Sequence, residues 1–279
     1  MAKILLCVDL SYQSYRASAA HPMLESRRVF TGGLYGFFTS FSKTVRETRA
    51  THVAFCLDMK PYVRSQEYPD YKQFRKGNAD PELLRRHRES LELIMDCLED
   101  CGLSLWGVPG FESDDLIGHA VKVYRHRFDD IYAASNDSDL YQLFDAENFH
   151  VYSSDVRNLW NGKRLAKEHG VSPAEFMLST ALTGTHNDIE GIHKVGPVTA
   201  LKAIRDPALM RKYRDSHGDL IDRNLKLIKL PHELFPRSER LPMHASGGFN
   251  PRRLYRFLGR YDIDVTNAMV SAIEQLLPR

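Results

Sequence analysis

The chain has 279 residues, which is enough for one large α/β domain or two small ones with a sizeable core. Hydrophobic residues make up 43% of it and charged residues 27%, which excludes collagen-like, low-complexity and wholly disordered proteins. No apolar run reaches the roughly 18 residues needed to span a bilayer, and four cysteines are too few for a disulfide scaffold. We therefore expect a cytoplasmic protein. Its net charge is only +2.

The first 160 residues alternate short apolar runs with longer amphipathic ones, a pattern typical of βαβ units and a mainly parallel sheet. Strands are predicted at 3–8, 52–57, 104–108, 130–135 and 148–153. Helices are predicted at 31–48, 80–101 and 113–127, the second of them opened by the sequence Asp80-Pro81-Glu82.

Beyond about residue 170 the strand signal fades. Ser172-Pro173 and Asn250-Pro251 are typical helix starts, so short helices are expected in this part. Residues 200–230 are also more basic than the chain as a whole. We predict an α/β core over residues 1–170 and a helical part over residues 171–279.

Acidic residues follow the predicted strands of the core. Asp9 closes the first strand, Asp58 closes the second, and two further acids follow the strand that ends near residue 135. The carboxyl ends of parallel strands border one crevice, where ligands bind in open α/β sheets. The candidate metal ligands are Asp9, Asp58, Glu112, Asp114, Asp115, Asp137, Asp139 and, later in the chain, Asp188.

Such a group of carboxylates needs cations to share one cleft. Two like charges about 4 Å apart repel by roughly 4 kcal/mol at an effective dielectric of 20. Carboxylates without convergent Cys or His select Mg²⁺ or Mn²⁺, and two such ions suit an in-line phosphoryl displacement. Each acidic motif alone is more often a helix cap or a solvated turn than part of a metal site, so the prediction depends on their joint placement.

Five segments in order carry a family resemblance. They are Val8-Asp9-Leu10-Ser11 with Tyr15-Arg16-Ala17, TGGLYG at 31–36, Asp58 with Arg64 and Tyr71-Lys72-x-x-Arg75, GFESDDLIG at 110–118, and SNDSDLYQL at 135–143. Together they resemble the motifs of the 5′ nuclease family. That family includes flap endonucleases, the 5′ nuclease domain of bacterial DNA polymerase I and bacteriophage 5′-to-3′ exonucleases. The similarity covers about residues 4–204.

The resemblance implies a fold and an activity. The fold is α/β, with a mainly parallel twisted central sheet flanked by helices (a PIN-like core), a helical arch at about 60–100 and a helix-hairpin-helix variant that grips duplex DNA. The activity is metal-dependent hydrolysis of DNA at 5′ flaps, nicks and free 5′ ends in replication or repair, leaving a 5′-phosphate and a 3′-hydroxyl. RNA–DNA hybrids, as in primer removal, are a second expected substrate. A stand-alone enzyme of bacterial or bacteriophage type is expected, acting in the host cytoplasm if phage-encoded.

The resemblance also assigns roles to residues. One divalent ion is held by Asp9, Asp58, Glu112, Asp114 and Asp115, directly or through water, and a second ion by Asp137 and Asp139. Lys72 and Arg75 are the catalytic cations that offset charge on the scissile phosphate. The expected DNA contacts in the core are Tyr15, Arg16, Arg64 and Tyr71. On composition alone, residues 60–90 fit either a single-strand-binding surface or a solvated charged one.

Two segments depart from the family pattern. Residues 184–191 read GTHNDIEG where the family has G-D-x-x-D-N-I-x-G, so the first Asp has no counterpart and Asn187 aligns with the second. We expect Asp188 to reach the second ion through a shift of one residue. In the following hairpin, the expected DNA contacts are Gly191, Lys194, Gly196 and Thr199, and a K⁺ site there is a further expectation.

Two other functions fit the same residues. The chain could bind nucleic acid with the same fold but weakened catalysis, because of the altered 184–191 motif. It could also be a 3′-to-5′ exonuclease, since those enzymes use acids and two metal ions as well. Cleavage of a 5′-flap substrate and labelling of each strand end in turn separate these alternatives.

Overall fold

The computed structural model describes residues 2–73, 80–153, 158–242 and 250–276. Its strands are β1 (Ile4–Asp9), β2 (Glu25–Ser26), β3 (Val29–Phe30), β4 (His52–Leu57), β5 (Leu105–Gly107), β6 (Asp130–Ala134), β7 (Phe149–Ser153) and β8 (Asn158–Trp160). The helices of the first half are α1 (Leu10–Ala20), α2 (Gly32–Thr48), α3 (Val63–Glu67), α4 (Pro81–Asp100) and α5 (Ser113–Tyr124), followed by a 3₁₀ helix (Ser138–Leu143). The later helices are α6 (Gly162–His169), α7 (Pro173–Thr183), α8 (Pro197–Arg205), α9 (Pro207–Ile228), α10 (Pro251–Gly259) and α11 (Asn267–Gln275).

The central sheet has six strands in the order β5-β4-β1-β6-β7-β8. All neighbours are parallel except β7 and β8, so β8 is an antiparallel edge strand. After β1 the chain builds β4 and β5 on one side and then returns to build β6 and β7 on the other. The carboxyl end of β1 is therefore a topological switch point, the place where open α/β sheets bind ligands. The predicted mainly parallel sheet is confirmed.

The first strand lies at the centre of the fold because all six of its residues are buried. Its alternate side chains enter two different cores. Leu6 and Val8 join the core on the face covered by α1, α2 and α4, whereas Leu5 and Cys7 join the core beneath α5. A continuous apolar run is what a strand buried on both faces requires.

The helical part divides between two locations. The last helices, α10 and α11, place Leu254, Phe257 and Ile273 in the same core as β1 and α2. The helices α7, α8 and α9 instead pack on one another around Leu182 and Ile221. Residues 251–276 therefore share a core with the first hundred residues, although the sequence analysis assigned them to the helical part.

The predicted arch falls partly outside the described residues, because 74–79, including Arg75, are not among them. The helix α3 precedes these six residues in the chain, and the long helix α4 follows them. As predicted, Asp80 opens α4, and its side chain accepts a hydrogen bond from the Glu82 N–H at 2.9 Å. Among the described residues, no helix is both long and apolar enough to cross a membrane.

Candidate active site

The carboxyl ends of β1, β4 and β6 bring acidic side chains to one rim of the sheet. Asp9 ends β1 and caps α1 by accepting a hydrogen bond from the Tyr12 N–H at 3.0 Å. Asp58 follows β4 and accepts from the Ser113 N–H at 2.8 Å, which ties it to the start of α5. Asp137 follows β6 and caps the 3₁₀ helix that carries Asp139. The structure thus joins segments that lie far apart in sequence.

Three of the acids in this region, Asp9, Asp114 and Asp139, have pKa values raised by burial and by neighbouring carboxylates. Burial and the neighbouring charge of Asp58 raise the pKa of Asp9 to about 7, with a smaller contribution from Asp137. Burial and Asp137 likewise raise the pKa of Asp139 to about 7. The pKa of Asp114 is raised well above its usual value by burial and by the charges of Asp137 and Asp9. A bound cation stabilises the ionised form of carboxylates that are buried next to one another.

One oxygen of the group has no hydrogen-bond partner. The Oδ1 atom of Asp114 is buried and unpaired, and an unpaired buried polar atom is costly. Oxygen donors of this kind fit a hard divalent ion. Within the described ranges, no three His, Cys, Asp or Glu side chains already have the spacing of one ion's ligands. The fit to a metal therefore rests on donor type, burial and shared charge.

Glu112, at the start of α5, is surrounded by donors. Its Oε1 accepts a hydrogen bond from Lys72 Nζ, and its Oε2 accepts from the Tyr71 hydroxyl at 2.8 Å and from Arg64 Nη1 at 3.2 Å. Burial acts to lower the pKa of Lys72, but the charge of Glu112 and the hydrogen bond to it outweigh burial, so this pKa is raised. The predicted catalytic lysine thus lies beside the predicted metal ligands, as a protonated ammonium.

Arg64 and Asp115 form a buried pair, which differs from the predicted role of Arg64 as a DNA contact. Arg64 is only 4% exposed and therefore does not present its guanidinium to DNA. Asp115 is fully buried; its Oδ1 accepts from Arg64 Nη2 at 2.8 Å and from the His232 N–H at 2.7 Å. Its Oδ2 accepts from Arg64 Nη1 and from the Glu112 N–H. Because both oxygens are occupied by protein donors, this arrangement makes Asp115 an anchor of the site rather than a direct metal ligand.

Tyr71 also differs from its predicted role as a DNA contact. Its side chain is 5% exposed, and its ring packs in a small core with Ile189 and Leu227. Its hydroxyl is directed at Glu112, not at solvent. Lys72, the next residue, has a left-handed backbone (φ 57°), so the pair with Arg75 does not begin as one helical turn. Arg75 lies outside the described residues.

At the altered 184–191 motif, the side chain next to Asp139 is that of Asn187. Its Nδ2 donates to Asp139 Oδ2 at 3.3 Å, and its backbone carbonyl accepts from the Lys72 N–H at 3.0 Å. Its own Oδ1 is buried without a hydrogen-bond partner. Asp188 follows with a left-handed backbone (φ 64°), and its role as a metal ligand stays a prediction. From the sequence, Asn187 is placed only at the position of the family's second Asp, because an amide between two acidic motifs carries no signal of its own.

The other predicted DNA contacts lie on the surface or in turns. Tyr15 is 40% exposed and lies edge-on to His87, with ring centroids 5.7 Å apart. Arg16 lies over the ring of Tyr12. In the hairpin, Lys194, Gly196 and Thr199 are exposed, and Gly196 is the N-cap of α8. A side chain on Gly191 would collide with the Thr183 carbonyl group, so packing alone requires that glycine.

Comparison with known proteins agrees with this geometry. Residues 4–171 match the family model described as the 5′-3′ exonuclease, N-terminal resolvase-like domain. The chain belongs to this family. Among relatives, the 5′-3′ exonuclease of Aquifex aeolicus is 28% identical over 246 residues, which cover 83% of each protein. DNA polymerase I of Streptococcus pneumoniae is 29% identical over 220 residues, 72% of this chain but only 24% of the polymerase.

Solved structures of 5′ nucleases have the same fold as this chain. The T5 5′-exonuclease with bound zinc ions superposes with a TM-score of 0.68 at 19% identity, covering 82% of this chain and 90% of that one. The flap endonuclease-1 of Methanococcus jannaschii superposes with a TM-score of 0.60 at 14% identity, covering 98% and 91%. At these identities the likeness shows the fold, and the fold is that of the PIN-like 5′ nucleases.

Proposed function

We propose that the chain is a structure-selective, divalent-metal-dependent 5′ nuclease that cuts DNA at 5′ flaps, nicks and free 5′ ends. Its family membership makes it a nuclease; the polarity, the substrate structure and the 5′-phosphate and 3′-hydroxyl products belong to the proposal. The observation that carries it is the group of buried carboxylates with raised pKa values at the switch point, one with an unpaired oxygen. Such a group attracts cations at the rim where open α/β sheets bind ligands, and Lys72 lies next to it.

Two Mg²⁺ or Mn²⁺ ions are proposed for this site. Asp9, Asp58 and Asp114 would hold one, and Asp137 with Asp139 the other, with Asp188 as a further candidate. When bound, such ions polarise the scissile phosphate and supply a metal-bound water at neutral pH. The metal-bound T5 5′-exonuclease supports the divalent requirement but does not identify the ion.

The protein's own residues would orient and stabilise the strand. Lys72 lies beside the acids, and its pairing with Glu112 keeps the ammonium at the cleft. Its Nζ also lies over the rings of Tyr62 and Tyr71, at 5.8 and 5.2 Å from their centroids. An ammonium held in this way can offset charge on a phosphate without first losing a solvent shell.

Duplex DNA is proposed to bind the hairpin and the helix that follows it. Lys194 is exposed, and the exposed Gly196 and Thr199 lie at the N-terminal turn of α8, which suits a phosphate. Tyr15 and Arg16 would meet the 5′-terminal nucleotide. A K⁺ ion at the hairpin and an RNA–DNA hybrid as second substrate remain parts of this proposal.

The deciding experiment uses flap, nicked and blunt duplexes labelled in turn at each strand end, with Mg²⁺, Mn²⁺ or a chelator. We expect release of short products from the labelled 5′ end in the presence of either ion and none with the chelator. Products released from the 3′ end would instead support the opposite polarity. Tight flap binding without turnover would favour a nucleic-acid-binding protein, the alternative suggested by Asn187 in place of an acid.

Substitution of Lys72 separates chemistry from binding. Lys72→Ala is expected to slow single-turnover cleavage by at least about 100-fold, because the phosphate loses a preorganised cation. Duplex affinity should change little, since phosphate contacts elsewhere supply most of it. The matched control is Lys163→Ala on the exposed start of α6. Equal losses of cleavage and binding would remove Lys72 from the catalytic role.

A further inference from the structure

Arg64 is held at the cleft by hydrogen bonds from all three nitrogens of its guanidinium. A guanidinium has five N–H donors, and here each of them makes a hydrogen bond. Nη1 and Nη2 bind both oxygens of Asp115, and Nη1 also binds Glu112 Oε2. The remaining two bonds go to the carbonyl oxygens of Leu227 at 2.7 Å and Lys229 at 3.1 Å. Arg64 thus joins α3 to the start of α5 and to the end of α9.

The acids that Arg64 binds enclose the one with the unpaired oxygen. Glu112 and Asp115 are the N-cap and third residues of α5, and Asp114 lies between them. Asp115 also accepts from the Glu112 N–H at 3.2 Å, which closes the turn. With residues 112 and 115 held by one planar group, the backbone between them has little freedom. The direction of Asp114 into the crevice is therefore fixed by a residue that lies behind it.

The side chain of Gln142 also binds the end of α9. Gln142 Nε2 donates to the Ile228 carbonyl at 2.9 Å, and its Oε1 accepts from the Leu230 N–H at 2.9 Å. Gln142 belongs to the 3₁₀ helix that carries Asp139. The segment that ends α9 is thus bound on one side to the acids of α5, through Arg64, and on the other to the helix of Asp139.

We infer that Arg64 is a positioning residue for metal binding: it aligns Glu112 and Asp114 through its pairing with Asp115 and touches neither the ions nor the DNA. The inference rests on the proposed metal-dependent nuclease function. Its physical basis is that hydrogen-bond partners fix the orientation of metal ligands, and their loss typically costs about 10- to 100-fold in metal affinity or activity. Lysine cannot replace this group, because a single ammonium cannot bind a carboxylate through two parallel bonds and reach two carbonyl oxygens as well.

The test measures Mn²⁺ binding by calorimetry without DNA, together with kcat and KM on a 5′-flap substrate. Arg64→Lys is expected to weaken Mn²⁺ binding and lower kcat by about 10- to 100-fold, the range for residues that orient metal ligands. KM for the flap should change little, because Arg64 is buried. Thermal unfolding of each variant shows that the assays are run on folded protein.

Two further variants complete the design. Tyr71→Phe removes only the neutral hydrogen bond to Glu112 Oε2 and leaves no unpaired buried charge, so it tests the same network if Arg64→Lys does not fold. It should weaken Mn²⁺ binding in the same direction by a smaller factor. Arg253→Gln is the matched control, because Arg253 is exposed and donates to the Asp100 carbonyl at the end of α4. It should leave Mn²⁺ binding, kcat and KM unchanged.

Three outcomes would overturn the inference: wild-type Mn²⁺ affinity in folded Arg64→Lys, a raised KM with unchanged metal affinity, or unchanged Mn²⁺ binding in Tyr71→Phe. The first leaves Arg64 a purely structural residue, and the second makes it a DNA contact. Failure of the proposed function is a separate result. If the wild type binds Mn²⁺ but cleaves no substrate, the nuclease proposal fails while the effect of Arg64 on Mn²⁺ affinity can still be measured.

Discussion

Two neighbouring groups of acids in the cleft differ in how their charge is balanced. Glu112 and Asp115 accept hydrogen bonds from Lys72, Tyr71 and Arg64 and are fixed within the protein. The second group consists of Asp9, Asp114 and Asp139. Their pKa values are raised by burial and by the charges of neighbouring carboxylates.

One sequence motif here contains both a structural anchor and a candidate metal-binding group. Asp114 and Asp115 are adjacent, yet one has an unpaired oxygen and the other has both oxygens bound by protein donors. Consecutive helical residues point in directions about 100° apart, so the pair cannot serve the same partner. Substitutions at these positions should therefore have opposite effects on stability.

The largest expected effect is the loss of cleavage in Asp114→Asn. We expect a decrease in kcat of at least about 100-fold, equivalent to about 2.7 kcal/mol in activation free energy. The reason is that a carboxylate with an oxygen available to a metal is replaced by a neutral amide. The free energy of unfolding in metal-free buffer should rise by about 1 kcal/mol, since a buried charge without a partner is removed. Single-turnover cleavage and urea unfolding measure the two quantities. Unchanged cleavage would exclude Asp114 from the metal site.

Asp115→Asn should instead unfold more easily. Removal of one partner of a buried ion pair leaves Arg64 without full compensation, and such changes cost about 3 kcal/mol. Urea unfolding without divalent ions gives the value, to be compared directly with that of Asp114→Asn. A stability equal to that of the wild type would show that the pair with Arg64 does not anchor the site.

Asn187→Asp tests the altered motif. Without metal, the new carboxylate would lose the hydrogen bond to Asp139 and repel it, which should lower the free energy of unfolding by about 1–2 kcal/mol. With saturating Mn²⁺ the deficit should become smaller or reverse, because a ligand that binds only the folded state stabilises it. The measurement is the melting temperature with and without Mn²⁺, and Thr185→Ser in the same loop is a conservative control. An equal decrease in both conditions would place residue 187 outside the metal site.

Most of the sheet could be predicted from sequence because its strands are short apolar runs between turns, as in 52–57 and 130–135. The helix α1 was missed for a physical reason. Its buried face is partly polar: Gln13 donates to the Ala134 carbonyl at 3.0 Å, and Ser18 bonds Ser90 at 3.1 Å. A helix that is held by hydrogen bonds between distant segments shows no apolar stripe.

The candidate site was predictable only in part, for a similar reason. Acids at strand ends converge by topology, so their meeting follows from the order of strands. The roles of Arg64 and Tyr71 depend on pairing with acids some forty to fifty positions later in the chain, as the contacts with Glu112 show. Sequence shows a basic or aromatic residue in an arch motif but not whether it points outward to DNA or inward to a carboxylate.

The smallest expected effect concerns pH and His119, which lies one helical turn after Asp115 on α5. His119 is buried against Trp106, and burial lowers its pKa although a hydrogen bond to the Glu239 carbonyl acts in the opposite direction. A histidine held neutral in the folded state destabilises the protein as pH falls below about 6.5, because the unfolded chain binds the proton first. Asp9 and Asp139 act oppositely: with pKa values raised to about 7, they bind protons preferentially when folded, so stability rises as pH falls from about 7 towards 4.

The comparison of wild type with His119→Gln isolates the histidine, because the acids contribute equally to both proteins. Between pH 7.5 and 5.5 the wild type should lose less than about 1 kcal/mol relative to the variant, a small value because pH 5.5 lies only about one unit below the pKa of a histidine in the unfolded chain. Urea midpoints at the two pH values give the difference. A relative gain by the wild type at pH 5.5 would mean that His119 is protonated when folded, with Glu239 stabilising its charge more strongly than burial opposes it.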